Sequence, residues 1–342
     1  MEVSGEFEKV IPLISICIPT YNRCEQVSKL VKDILCSSVE ELEIIVLDNC
    51  SNDDTKQQLS TIVDSRLVFI RNEENIGGIF NILKSISLAS GKFALLCLDK
   101  DYLDHNKIST LINRIQLDPE VVFGYCSLNI HEVEEDVIYE SGFDSVMNMA
   151  YLSRHPSGMF YKTKEYKKLP ILNEIFTDRK AFPFYTDLIN AEMAMIGKSQ
   201  IIKLPVFYTE TKEEAVKTLS FTYDLNNVYF SPNNRIIEFD VYVQNAVKLS
   251  LSHYKTLRLM SKLYEQGLMS STFGYKRMVE DAHVCLHNRI STQKVSKLYL
   301  WEINFKFSKH FFRKKLPINT LQKILIIFCY EIKFMLKIFL MK

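Results

Sequence analysis

Two aspartates two positions apart, Asp99 and Asp101, follow the apolar run Phe93-Ala94-Leu95-Leu96-Cys97-Leu98. A third, Asp48, follows Glu43-Ile44-Ile45-Val46-Leu47, and the run Ile14-Ser15-Ile16-Cys17-Ile18 leads into Pro19-Thr20-Tyr21-Asn22-Arg23. Carboxylates gathered in one place repel one another unless a cation or hydrogen-bond donors offset their charge. Two of them at a strand end suit a hard divalent ion that also binds phosphate oxygens. These residue types therefore point to the holding of a metal-bound phosphate, with an arginine and hydroxyl groups alongside.

The elements that must position them alternate. Apolar runs at 14–18, 43–47, 67–70 and 93–98 are separated by segments with helical spacing at 25–36, 54–63 and 78–89, the first carrying Val27, Leu30, Val31, Ile34 and Leu35. Near-continuous apolar strands separated by helices predict a parallel sheet covered on both faces. In such sheets ligands bind beyond the carboxyl ends of the strands, where the polar residues named above stand. Further strand-like pieces lie at 121–128, 157–161 and 201–208, and from Arg235 onward the spacing is helical. A polar stretch near 212–234 predicts the boundary between an α/β domain that carries these residues, 1–215, and a helical region, 216–342.

Bulk properties narrow the class. The 342 residues carry a net charge of +1, made of +7 in residues 301–342 and −6 in the first 300. That asymmetry argues against a nucleic-acid-binding body and for a tail that meets an anionic surface. Eight cysteines occur without a CxxC pair, several inside apolar runs, which predicts a reducing compartment. The acidic start, Met1 to Glu8, has no apolar run, so the sequence predicts no secretory leader and a cytoplasmic protein.

The set of motifs, in order, resembles family 2 glycosyltransferases: strand-Pro19-Thr20-Tyr21-Asn22-Arg23, strand-Asp48-Asn49-x-Ser51-x-Asp53, Asn75-Ile76-Gly77-Gly78, Ala89-Ser90-Gly91-Lys92 and a D-x-D after an apolar strand. The resemblance covers residues 12–110 well and continues more weakly to about 210. It implies a GT-A fold, which is α/β with a mostly parallel central sheet and helices on both faces. It also implies a nucleotide-sugar donor, with a UDP-sugar expected. Pro19, Thr20, Tyr21, Arg23, Asn75 and Gly78 would line the donor pocket, and Asp48 would accept a hydrogen bond from the base. Asp99 would hold ribose or share a Mn²⁺ or Mg²⁺ ion with Asp101, the metal ligand proper. His155-Pro156-Ser157-Gly158-Met159-Phe160 is similar to the strand that closes the donor–acceptor cleft. Asp187, in Phe184-Tyr185-Thr186-Asp187-Leu188, falls where relatives carry Glu-Asp and would be the general base, although Thr186 replaces the acidic neighbour. The implied mechanism is a single inverting displacement on a glycan or lipid-linked acceptor hydroxyl.

Local structure offers several of these residues a plainer role. Asp53 or Asp54 can cap the helix that follows, Asp187 can be an ordinary helix cap, and Arg23 can be a solvated helix-entry charge. Gly77-Gly78 can be turn chemistry, and His155 reads as structural. For Asp48, Asp99 and Asp101 together, capping explains less than a shared ligand site does. His283 and His287 stand at i and i+4, a spacing that can ligate zinc, but no third ligand accompanies them.

The tail, 301–342, ends in an apolar segment interrupted by Lys323, Glu331, Lys333 and Lys337, too short in any run to span a bilayer. Its three lysines share one sector of a helical wheel, which predicts an interfacial helix that holds the protein peripherally on the inner face of the cell membrane. Packing as a core helix is the other reading. Two further functions compete with transfer: a non-catalytic nucleotide-binding scaffold, and a sugar nucleotidyltransferase. The latter calls for a Gly-rich phosphate loop after the first strand, and residues 19–25 contain no glycine. Oligomeric state leaves no mark on the sequence.

Overall fold

Seven consecutive buried residues make β1 (Ile14–Thr20) a strand covered on both faces. β2 (Leu42–Asp48), β3 (Leu67–Arg71) and β4 (Phe93–Leu96) join it in parallel, with β1 between β2 and β4 and β3 outside β2. The helices between them are α1 (Cys24–Leu35), α2 (Thr55–Ser60) and α3 (Gly78–Leu88). α1 turns Val27, Leu30, Val31 and Ile34 onto the sheet, each essentially without solvent exposure. Burying a side chain of this size contributes about 1.5–3 kcal/mol.

The structure, a computed structural model, describes residues 11–126, 133–180, 182–209 and 228–341. The chain divides into two units, Met1–Glu210 and Thr211–Lys342. In the first, β4 is followed by β5 (Asp101–Leu103), α4 (Ile108–Ile115), β6 (Val121–Tyr125), β7 (Val137–Tyr139), α5 (Phe143–Met149), β8 (Met159–Lys162), α6 (Thr163–Tyr166), α7 (Pro170–Asp178), α8 (Tyr185–Ile196), β9 (Lys198–Ile201) and β10 (Phe207–Thr209). Eight strands form one sheet in the order β3-β2-β1-β4-β8-β6-β9-β7, while β5 and β10 pair separately. This is the expected α/β architecture, with two antiparallel additions, one of them β7 along β9 at the edge of the sheet. β8 inserts antiparallel between β4 and β6, so the sheet is mixed in its second half. At that point Gly124 of β6 faces the ring of Phe160 on β8, where an added Cβ would lie 2.2 Å from Phe160 Cζ.

The apolar segment expected over 201–208 breaks into β9 and β10 around Pro205. The helix expected over 54–63 stops at Ser60. The strand-like run at 121–128 is a strand through Tyr125, and residues 127–128 lie outside the described residues, as does most of the boundary stretch at 212–234.

The second unit is helical in its described part. Its longer helices are Pro232–Val247, His253–Met269, Lys297–Arg313 and Thr320–Leu340. Phe239, Tyr264, Phe307 and Phe311 form an aromatic core, with ring centroids 4.5–5.9 Å apart. The tail comprises most of the helix Lys297–Arg313 and, after a short loop, the helix Thr320–Leu340. His283 and His287 lie on the short helix Ala282–His287, and no group of three metal-ligating side chains forms among the described residues.

Candidate functional site

Strand register brings the first three site residues side by side. Thr20 is the partner of Asp48 across β1 and β2, and Asp48 is the partner of Arg71 across β2 and β3. Asp48 is fully buried. Its Oδ1 accepts from Ser51 Oγ at 2.5 Å, and its Oδ2 accepts from Arg71 Nη1 at 2.7 Å. Arg71 also donates to the Ser51 carbonyl at 2.8 Å, and about a third of its side chain reaches solvent. A charge-assisted pair of this kind fixes the carboxylate's orientation as an acceptor. Sequence reasoning missed Arg71. The signal available was its place at the end of the third apolar run.

The row continues to Asp99. Thr20 Oγ1 donates to Asp99 Oδ2 at 2.8 Å, and Arg23 Nη1 lies 3.6 Å from Asp99 Oδ1. Arg23 is 6% exposed, so it is not the solvated helix-entry charge that local reasoning allowed. Burial pushes the Asp99 carboxyl above its usual range, against the opposing pull of Arg23, Thr20, Lys100 and the Tyr21 backbone N–H. Pro19 is buried in β1, while Tyr21 is partly exposed in the bend that joins β1 to α1. Asn22, at φ 52°, makes that bend and accepts from the Asn52 N–H at 2.8 Å. Asp53 is the capping residue. Its Oδ2 accepts from Cys24 N–H at the start of α1, and its Oδ1 from Thr55 N–H at the start of α2.

Asn75 and Gly78 reach the same edge through an amide network. Asn49 Nδ2 donates to Asn75 Oδ1 at 2.7 Å, Asn72 Nδ2 donates to Asn49 Oδ1 at 3.0 Å, and Asn75 Oδ1 also accepts from the Gly77 N–H. Gly77 has φ 90°, a conformation that glycine adopts without the steric cost of a Cβ, and it starts α3 at Gly78. The network ties the N-terminus of α3 to the residue that follows β2.

Asp101 opens β5 and is 1% exposed. Its Oδ2 accepts from Ser157 Oγ at 2.5 Å and lies 2.6 Å from His155 Nε2. Its Oδ1 is buried and has no hydrogen-bond partner. His155, expected to be structural, thus sits on the residue expected to bind metal. Ser157 Oγ also accepts from the Leu98 N–H, which locks the loop to the end of β4.

The same loop is held from its other side by Asp187. This residue lies in the first turn of α8, which starts at Tyr185, so it is not the helix cap. Its two oxygens accept from the backbone N–H groups of Leu152 (3.1 Å) and Ser153 (2.9 Å), and it is 1% exposed. Tyr151 and Ser153 both have positive φ, at 60° and 49°, so the carboxylate braces a strained segment.

Whether this set suits a divalent ion turns on Asp101 Oδ1. A buried carboxylate oxygen without a donor is costly unless a ligand meets it. No complete protein cage forms among the described residues. Mg²⁺ and Mn²⁺ are commonly held by one or two carboxylates together with substrate phosphates, so the residues fit such an ion.

The sequence profile of glycosyl transferase family 2 matches residues 15–174, from β1 into α7. The chain is a glycosyltransferase, similar to family 2 over residues 15–174. Most of the relatives it resembles are glycosyltransferases by name. An Escherichia coli (strain K12) protein named for colanic acid biosynthesis, the glycosyl transferase WcaA, is 26% identical over 250 residues, which cover 71% of this chain and 85% of that one. The GalNAc(5)-diNAcBac-PP-undecaprenol beta-1,3-glucosyltransferase of Campylobacter jejuni is 33% identical over 119 residues, 34% of this chain and 38% of that protein. Escherichia coli WfaP, a UDP-Glc:alpha-D-GlcNAc-diphosphoundecaprenol beta-1,3-glucosyltransferase, is 28% identical, with 41% and 54% covered. Matches to the last two thus span about half of those proteins or less. Among solved structures, S. aureus TarS 1-349 in complex with UDP-GlcNAc aligns at a TM-score of 0.50 and 14% identity, over 80% of this chain and 86% of that one. That likeness is one of fold, and it agrees with the sheet described above.

Proposed function

We propose that this glycosyltransferase moves a sugar from a nucleoside-diphosphate sugar, a UDP-sugar foremost, to a hydroxyl of a glycan or lipid-linked acceptor in surface-polysaccharide synthesis. One observation carries the reading: the row Asp48–Thr20–Asp99–Asp101 ends in a buried carboxylate oxygen with no donor. The base would meet the Asp48–Arg71 pair, whose exposed guanidinium edge and buried carboxylate offer a donor beside an acceptor. Thr20, Tyr21 and Arg23 would flank the diphosphate and ribose, with Asn75 and Gly78 closing the far side. Asp101, with Asp99, would hold Mn²⁺ or Mg²⁺, which when bound offsets charge on the departing diphosphate.

Asp187 is the proposed general base of an inverting displacement, taking the acceptor proton onto a carboxylate oxygen. In the present conformation Leu152 and Ser153 occupy its oxygens, so acceptor entry must displace their amides. The names of two relatives support the acceptor class, since both contain an undecaprenol diphosphate. A lipid-linked acceptor places the enzyme peripherally on the inner face of the membrane. The occupied state of Asp187 also favours a second reading, a nucleotide-binding scaffold without turnover.

Thermal melts with UDP and GDP, each with and without Mn²⁺, test the first reading. A diphosphate should raise Tm, more so with metal, and Asp101→Asn should remove the metal-dependent part. If no diphosphate–metal pair stabilises the protein, the donor assignment fails. Donor hydrolysis or transfer then separates enzyme from scaffold.

A further inference from the structure

The helix Thr320–Leu340 is turned the opposite way from an ordinary surface helix. Phe334 and Ile338 pack inward with Leu300 and Ile303. Its lysines also face its own unit: Lys333 pairs with Glu265, Lys323 Nζ donates to the carbonyls of Phe312 and Lys314, and Lys337 lies over the Phe273 ring. Each lysine of the sector expected to meet a lipid surface thus has a partner in its own unit, although Lys333 and Lys337 stay exposed. Leu321, Ile324, Phe328, Ile332, Met335 and Phe339 point to solvent, Phe328 at 63% and Phe339 at 84% exposure. At 100° per residue these six span about 80°, and with Leu325, Leu336 and Cys329, exposed as well, the uncharged arc reaches about 140°, with Lys333 and Lys337 beyond its edge.

The helix Lys297–Arg313 adds a second apolar strip, Leu298, Trp301, Phe305 and Phe312, all exposed. The two helices run antiparallel, since Lys297 Nζ reaches the Met341 carbonyl at 2.6 Å while Lys323 reaches Lys314. Asn304 and Ser308 bond Glu331 along the seam, and Trp301 packs edge-on against Phe334. Trp301 and Phe312 lie one step round from Ser308, and Ile324 and Met335 one step round from Glu331. Because the chain reverses direction, both strips leave the seam toward the same side and form one apolar face. The outer rim of the first strip carries Lys306, Lys309 and Arg313, all exposed. Glu302, the exposed acid there, is paired with Lys306.

We infer that this hairpin face is a lipid-contact surface: it lies in the headgroup–acyl boundary of an anionic leaflet, with the basic rim at headgroup level. Contiguous exposed apolar faces rimmed by charge mark interaction sites. Among the described residues no helix is long and apolar enough to cross a membrane, so the hairpin lies on the bilayer and does not span it. A lipid fits better than a second copy. A symmetric self-contact would set each basic rim against its equal, whereas an anionic leaflet complements it. This inference deepens the peripheral placement proposed above and rests on it only for the choice of partner.

The test is flotation of the full chain with phosphatidylcholine vesicles and with vesicles containing phosphatidylglycerol. The chain has a single tryptophan, Trp301, so its emission reports on the face directly. The expected results are binding to the anionic vesicles, a blue shift of Trp301, and at least a tenfold loss of binding in Phe328→Glu/Ile332→Glu. Lys309→Glu/Arg313→Glu should lose the anionic preference. These side chains are exposed, and far-ultraviolet circular dichroism confirms that the variants fold. Unchanged vesicle binding in Phe328→Glu/Ile332→Glu overturns the inference. So does a wild-type dimer that ignores vesicles and becomes monomeric in that variant. Stabilisation by UDP and Mn²⁺, measured on the same preparations, reports on the catalytic reading alone, so each can fail separately.

Discussion

Asp99 and Asp101 stand two positions apart yet meet different surroundings. Asp99 shares its charge with Thr20 and Arg23, while Asp101 gives one oxygen to His155 and Ser157 and leaves the other bare. Burial raises the Asp99 pKa above its unfolded value, so the ionised form weakens the fold once pH exceeds both values. Asp99→Asn should therefore melt higher than wild type at pH 7. The advantage should shrink as pH falls toward the unfolded value near 4, as melts across pH 4–7 would show. Asp187→Asn should lower kcat about 10²–10⁴-fold with little change in donor affinity, because an amide oxygen can still accept from one loop N–H. Steady-state kinetics beside a donor titration would separate those effects. His155→Ala removes one of the two groups on Asp101 Oδ2. It should weaken the Mn²⁺-dependent part of UDP stabilisation and leave the metal-free part unchanged.

At the scale of elements, α1 and α2 start from one shared carboxylate. Asp53→Ala removes hydrogen bonds to the first turns of both helices and should cost about 1 kcal/mol, read as a lower denaturant midpoint. Gly124→Ala should cost more, since its methyl would meet Phe160 and the Gln200 carbonyl with no room on either side. β1, β2 and β4 were legible as apolar runs because both faces of a central parallel strand are buried, whereas β3, a partly exposed edge strand, was legible from its apolar residues alone. β5 and β7 were not, and β10 was read only as the end of a longer run over 201–208. Each has three residues, and at that length side-chain alternation carries no pattern. The antiparallel insertion of β8 was equally hidden, because pairing direction depends on how the chain returns to the sheet and not on the strand's own residues.

For the molecule as a whole, a ligand that binds only the folded state stabilises it by mass action, about 2.7 kcal/mol at a hundredfold excess over Kd. UDP with Mn²⁺ should therefore raise the melting temperature of the unit that holds the site, and chelator should reverse the metal's share. The tail follows a different physical rule. Composition announced a basic, apolar segment, and hydrophobic spacing announced a helix. Which face packs inward was decided by partners: Glu265 and the carbonyls at 312 and 314 hold Lys333 and Lys323 beside the unit, and the apolar arc is left to solvent.

The sequence by itself determined the order of strands and helices in the first hundred residues, the acidic edge and the family resemblance, because burial on both faces and short motifs are local properties of a chain. Tertiary structure alone decided that His155 and Ser157 close on Asp101, that Arg71 pairs with Asp48, and that Asp187 braces the loop between them. Those contacts join residues 23 to 56 positions apart. No local pattern encodes such a distance. It is set when the sheet and its loops pack.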